Sequence, residues 1–281
     1  MHVGAAPTGA AFLYRGGPLS PENPRPVTAR EVVATLSGAP LDEARLLVER
    51  YAEDPRKQVR HAVEVTRRRI EREDAERRRV EAMYELQDEL GGRGIVVGVD
   101  EVGRGALAGP LTVAAVCLPS EPRIWGLNDS KQLSARDRER TAALVAEQAV
   151  AVGIAHVEPE SIDALGIVPC LRHAMASAIR DTGLDSDCVL IDGNPIGAHP
   201  AELCVVRGDA QIACIAAASI VAKVTRDALM VSYEREYPGY HLAECKGYGS
   251  ADHVRAIREL GLSPIHRRSF CGNFVEQPRL F

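Results

Sequence analysis

Aromatic side chains make up only 4% of the 281 residues, with a single tryptophan. Whatever core the chain builds must therefore be aliphatic and rich in alanine, and a hydrophobic content of 46% supplies enough for a sizeable one. Positive charge is also short. Lys and Arg number 34 against 39 Asp and Glu, a net charge of −5, so no overall basic field attracts a polyanion and any contact with nucleic acid must come from a local patch. None of the seven cysteines forms a C-x-x-C pair, which argues against a disulfide framework and a zinc site; small buried thiols in a reducing compartment are expected. No apolar run approaches a membrane span, and the N-terminus has no basic stretch leading into an apolar core. Neither a membrane segment nor a signal peptide is expected, and the cytoplasm is the expected location.

Residues 1–27 are rich in Gly, Pro and Ala without periodicity, and are expected to form a disordered tail. Residues 28–90 change character: Thr28 can cap a short helix bearing Val32, Val33 and Leu36, Leu41–Tyr51 reads as another, and a long helical stretch follows Pro55. Its part from Arg56 to Arg79 holds ten Lys/Arg and five Asp/Glu. A solvated helix laced with i,i+4 ion pairs accounts for this pattern, with an auxiliary nucleic-acid arm as the second reading. Gly91-Gly92-Arg93-Gly94 marks a break, and 91–281 read as the main domain. There, strands are expected at Ile95–Val99, Thr112–Leu118, Ala151–Val157, Cys188–Ile191 and Leu203–Val206. Helices are expected from Ser134 to about Gln148, over Glu160–Arg180 with an interruption near Gly166, and over Gln211–Tyr233 and Ala251–Leu260. The order implies an α/β domain with a mixed sheet.

Three acidic sites share one context. Asp100-Glu101 follow IVVGV, Asp192 follows CVLI, and Asp209 follows LCVVRG. Each ends an apolar strand and adjoins glycine, where α/β folds gather functional groups. Any one of them could be a turn residue or cap, and Asp209 could cap the helix beginning near Gln211. Three repetitions weaken that reading. Four carboxylates brought together repel, and a hard cation such as Mg²⁺ resolves the conflict. Two such ions could activate a water and stabilise the leaving oxygen of a phosphodiester, which points to phosphoryl transfer or hydrolysis. One condition attaches. Neighbours on a regular strand point to opposite faces, so Asp100 and Glu101 serve one site only if the strand ends or bulges there. A phosphate-loop reading of Gly98 to Gly105 fails, because the stretch lacks the Lys-Ser/Thr ending and carries two acids inside.

With these residues assembled, the sequence resembles the bacterial ribonuclease HII family from about Gly94 to Phe270. DEVGRGALAGP, NDSKQLS, IDGNP, RGD, AAASIVAKVTRD, KGYGS and SPIHRRSF occur in the family's order. The resemblance implies a ribonuclease H-like mixed sheet flanked by helices, here with a helical N-terminal extension. It implies an endonuclease using two Mg²⁺ or Mn²⁺ ions on RNA/DNA hybrids and on DNA with embedded ribonucleotides. Cleavage would fall 5′ of the ribonucleotide and leave a 3′-hydroxyl. The implied metal-binding and catalytic acids are Asp100, Glu101, Asp192 and Asp209. Gly103-Arg104-Gly105 would sense the ribose 2′-hydroxyl, Tyr248 would stack on the adjoining sugar, and Lys131, Ser219 and Lys223 would contact the phosphate backbone. Arg267 and Arg268 read equally as a phosphate patch or a surface pair, and the role of His266 stays open. A monomer is expected. The alternative is a nucleic-acid-binding protein whose acidic cluster is structural.

Overall fold

The computed structural model describes residues 27–274. The expected tail therefore lies outside the described residues but for Val27. Contacts divide the chain into two compact units that meet between Arg72 and Glu73.

The first unit contains α1 (Ala29–Gly38), α2 (Leu41–Arg50) and the start of α3 (Lys57–Gly91). Thr28 and Glu31 form a reciprocal capping box on α1, which satisfies two of the amide donors that a helix start leaves unpaired. Val32, Leu36, Leu47, Val59 and Val63 fill a small aliphatic core. Along α3, Glu64 pairs with Arg68 at the expected i,i+4 spacing, whereas Glu64–Arg67 and, further on, Glu76–Arg79 pair at i,i+3.

The second unit is built on a five-stranded sheet in the order β3-β2-β1-β4-β5. Its strands are β1 (Val96–Val102), β2 (Leu111–Cys117), β3 (Ala151–Val157), β4 (Cys188–Asp192) and β5 (Glu202–Val205). The β1–β2 and β2–β3 pairs are antiparallel, and the β1–β4 and β4–β5 pairs are parallel, so the sheet is mixed. The helices are α4 (Ala135–Gln148), α5 (Pro159–Leu165), α6 (Ile167–Asp181), α7 (Ala213–Glu236), α8 (Leu242–Cys245), α9 (Ala251–Leu260) and α10 (Arg268–Cys271). Gly166 interrupts α5 and α6 as expected, with φ +82°.

The two sheet faces are covered differently. On one, Val97, Val99, Val189 and Ile191 pack against Leu171, Ala174, Met175 and Ala178 of α6. On the other, α7 lies flush on β1 through the buried run Ala213–Ile220. Gly98 makes that approach possible, since a Cβ there would sit 2.2 Å from the Cys214 backbone carbon. Each fully buried valine, leucine or isoleucine of these layers contributes roughly 1.5–3 kcal/mol. Both layers are needed, because β1 and β4 are apolar on both sides.

Candidate active site

Beyond the last β1–β4 pair, Val99↔Ile191, the next residues along the two strands are Asp100 and Asp192. Parity puts both on the α7 face, with Gly98 and Leu190. Glu101 lies on the α6 face with Val97 and Val99. The strand was expected to end or bulge between the two acids. It does neither, because β2 holds it in register through Asp100↔Ala114, Glu101↔Val113 and Val102↔Thr112. The strand that ends is its neighbour β4, and carboxylates from both faces of β1 line one pocket past that end.

The pocket has a volume of about 470 Å³. Asp100, Glu101, Asp192, the turn Gly103-Arg104-Gly105, Lys131, Ser219, Lys223 and Tyr248 line it, together with Val102 and Ser130. Of the residues to which the resemblance gives a metal-binding or substrate-binding role, Asp209 alone is absent from the wall. Nor does Asp209 cap α7, whose N-cap is Ile212 without a side-chain bond. It lies in the single 3₁₀ turn Gly208–Ala210, with a carboxylate oxygen 3.6 Å from the Lys131 ammonium. The preceding Gly208 amide donates to Asp192 Oδ1 at 2.7 Å, which ties the two acidic sites together.

Burial and mutual repulsion shape the electrostatics. Burial lifts the Asp100 carboxyl well above the usual range, and Glu101 and Asp192 push it further; hydrogen bonds from Ser219 and the Glu101 amide oppose this. Burial also raises Glu101, against Arg104 at 3.4 Å. Asp209 is raised by burial, then by Asp192 and Asp129, and Lys131 works against them. Burial pulls the Lys131 ammonium down, but Asp129, Asp209 and Asp100 together outweigh it and its pKa rises. Lys223 is held by both carboxylate oxygens of Asp227, at 2.6 and 2.7 Å, yet burial still lowers its pKa.

Crowded, half-desolvated carboxylates form an all-oxygen donor set suited to a hard divalent cation. Among the described residues, no three Asp, Glu, His or Cys side chains converge closely enough to form a coordination sphere as they stand. The fit is one of donor chemistry: negative charge held together out of water, which a cation would neutralise.

Beside the acids, Gly103 has φ +83°, and a Cβ there would lie 2.2 Å from the Arg226 Nε, so only glycine is accommodated. A Cβ at Gly105 would meet nothing within 4 Å; no packing demands a glycine there, and the bare backbone faces the pocket. The Gly103 amide donates to the Tyr248 hydroxyl at 3.1 Å. Tyr248 is 37% exposed, and its ring lies over the Arg226 guanidinium, 5.4 Å from centroid to carbon.

Several participants escaped the sequence reading. Ser130, inside NDSKQLS, is buried and shares a 3.0 Å hydrogen bond with Ser219. Arg267 is neither a phosphate patch nor half of a surface pair: it is wholly buried and donates to the carbonyls of Gly109 and Arg104. His266 is buried too. Its Nδ1 accepts from the Ser263 amide at 3.0 Å, so in the neutral ring the proton sits on Nε2 and is given to His253 Nε2 at 3.1 Å. His253 Nδ1 then donates to the Tyr248 carbonyl at 2.8 Å.

A mixed sheet with helices on both faces and a carboxylate-walled pocket at its strand ends is the architecture of the ribonuclease H-like class, with a site whose donors suit metal-dependent hydrolysis. The comparisons narrow this. Residues 97–273 match the family model described as Ribonuclease HII, and 28–91 match that of the Ribonuclease HII N-terminal domain. A ribonuclease HII of Listeria monocytogenes serotype 4b is 42% identical over 220 residues, covering 78% of this chain and 84% of the relative. Among solved structures, the ribonuclease H2 of Pyrococcus horikoshii aligns with a TM-score of 0.54 at 24% identity, over 64% of this chain and 96% of its own. A Bst-RNase HIII crystallised with Mn²⁺ aligns with a TM-score of 0.50 at 20% identity, over 62% of this chain and 65% of its own. The chain belongs to the ribonuclease HII family and is a metal-dependent hydrolase of that type. No helix among the described residues is long and apolar enough to cross a membrane.

Proposed function

We propose that this enzyme hydrolyses the RNA strand of RNA/DNA hybrids and cuts duplex DNA 5′ of a single embedded ribonucleotide, leaving a 3′-hydroxyl. One observation carries the reading: the acids Asp100, Glu101 and Asp192 share a pocket wall with the Gly103–Gly105 turn and Tyr248. A reacting phosphodiester and a ribose hydroxyl can thus be held side by side.

The roles follow from what each group can do. Asp100, Glu101, Asp192 and Asp209 would hold two Mg²⁺ or Mn²⁺ ions, which when bound supply an activated water and neutralise the leaving oxygen. The 2′-hydroxyl is what distinguishes a ribonucleotide locally. In the turn, the Gly103 amide is taken by Tyr248, and the Gly103 and Arg104 carbonyls by Ala106 and Arg267. The amides of Arg104 and Gly105 are left to meet that hydroxyl, and neither depends on the base. Tyr248 offers its exposed ring to the neighbouring sugar, where a second hydroxyl would crowd it. Arg104, Lys131 and Lys223 offer cations to the phosphates, and Ser219 steadies Asp100. Residues 91–281 form the catalytic domain on this reading and 28–90 an extension to it. We assign the enzyme to the cytoplasm as a monomer.

The test is digestion, with Mg²⁺ or Mn²⁺, of three duplexes: DNA with one ribonucleotide, an RNA/DNA hybrid, and an all-DNA control. The first two are expected to be cut with 3′-hydroxyl products and the third left whole. A protein that only binds nucleic acid would leave all three intact, and cutting of the control would refute selection by ribose.

A further inference from the structure

The two largest fully buried side chains among the described residues are Arg226 and Arg267, both 0% exposed. Burial lowers the pKa of both, and the nearby Arg226 charge lowers that of Arg267 further, to about 10. Neither is in a salt bridge among the described residues. Every hydrogen bond they make goes to a backbone carbonyl. Arg226 donates to Pro110 (2.9 Å), Ala108 (3.0 Å) and Lys246 (2.7 Å). Arg267 donates from Nη1 to Arg104 (3.0 Å), and from Nε and Nη2 to Gly109 (3.1 and 2.9 Å).

Burying two like charges with no carboxylate in direct contact, only Asp227 and Asp163 acting at longer range, is unfavourable, and apolar side chains of similar volume would fill the space more cheaply. The geometry indicates what the guanidiniums do instead. One carbonyl acceptor, Arg104, is the middle residue of the Gly103–Gly105 turn, Ala108, Gly109 and Pro110 follow the turn, and Lys246 lies two residues before Tyr248. Arg226 also touches both halves of the turn–tyrosine pair directly, lying against Gly103 and beneath the Tyr248 ring. A planar fork with five donors fixes the separation of several carbonyls at once, which a lysine ammonium does not.

We propose that Arg226 and Arg267 are positioning residues for ribose selection: they hold the Gly103–Gly105 turn at a set spacing from Tyr248, and this spacing decides which sugar the pocket accepts. The inference rests on the reading of that turn as the ribose sensor. A loosened spacing would still allow acids and phosphate contacts to engage a long hybrid, where several ribonucleotides give several chances of a fit. It would fail on a single ribonucleotide.

The experiment compares wild type with Arg267→Lys and, separately, Tyr248→Phe, which removes the hydroxyl accepting from Gly103 but leaves the core untouched. Kcat and KM are measured on the single-ribonucleotide duplex and on the hybrid, with thermal melting alongside. Arg267→Lys keeps the charge and loses the fork; kcat on the single ribonucleotide is expected to fall roughly tenfold more than on the hybrid, with KM little changed. Tyr248→Phe is expected to shift the same ratio in the same direction, and it gives the readout if Arg267→Lys folds poorly. Equal losses on both substrates, in step with lost folded protein, would mean the arginines only stabilise and would overturn the proposal. A wild type that does not separate the single-ribonucleotide duplex from all-DNA would instead overturn the sensor reading itself.

Discussion

Replacing Asp100 with asparagine is expected to abolish cleavage while making the metal-free fold more stable. Neighbouring strands lie about 4.8 Å apart, and Asp100 and Asp192 are neighbours on one face of β1 and β4. Two carboxylates at about 5 Å, in surroundings of effective dielectric about 20, repel by about 3 kcal/mol. Burial and Glu101 add to the load on Asp100, which its raised pKa reflects. Asparagine removes the charge but keeps an oxygen to accept from the Glu101 amide. The hydrogen bond weakened by the exchange is worth about 1 kcal/mol. A net gain of about 1–2 kcal/mol raises Tm by about 2–8 °C for a unit of this size. The assay is thermal melting in EDTA and again with excess Mn²⁺, beside cleavage of the single-ribonucleotide duplex. Mn²⁺ should stabilise the wild type by mass action and the variant much less, so the order of stability narrows or reverses. A variant less stable than wild type in EDTA would refute the argument from repulsion, and one that cleaves normally would refute the catalytic role.

Two further outcomes follow from the side chains around the site. Asp227→Asn releases the Lys223 ammonium from its two short contacts, so binding of hybrid duplex should tighten and its dependence on log salt steepen by about one counterion; an unchanged slope would show that Lys223 never meets a phosphate. His266 is buried neutral with its pKa pulled from 6.5 to about 4 by burial and by His253. The unfolded chain takes up the proton first, so this stability is complete above about pH 6.5 and about 3 kcal/mol of it is lost as pH falls toward 4. Denaturant melts of wild type and His266→Asn should show their stability gap narrowing over that range, and a gap independent of pH would contradict the neutral pair.

Most of the strands and helices were legible because hydrophobic periodicity and capping are local. Ser134 caps α4 and Thr28 caps α1 as their sequences imply. What escaped depends on residues far apart. β1 runs through Glu101 to Val102 because β2 pairs with it, and nothing within the stretch announces that. Asp209 resembles a helix cap in sequence, and only the fold turns its carboxylate toward Lys131. Arg267 is the sharpest case. Arginine in a polar SPIHRRSF segment reads as surface, yet its acceptor Gly109 lies 158 residues away. The Lys223–Asp227 pair, by contrast, lies at i,i+4 on one helix and is local enough to be read from the sequence.

Like charges are crowded twice in this domain, and the two crowdings differ in how they are relieved. The carboxylates of Asp100, Glu101 and Asp192 have few protein donors between them; burial first, and then neighbouring acids, raise the proton affinity of Asp100 and Glu101, and an arriving cation would cancel that repulsion. The guanidiniums of Arg226 and Arg267 are already satisfied, each by three hydrogen bonds to carbonyls of the chain. One side of the pocket is thus left responsive and the other is fixed. On the proposed reading this division suits the task, because metal ions must enter and adjust as a phosphodiester reacts, whereas a test for one hydroxyl needs a frame that does not adjust. Substitutions on the acidic wall should therefore act on kcat and metal dependence for every substrate. Those on the arginine side should act on the choice between substrates.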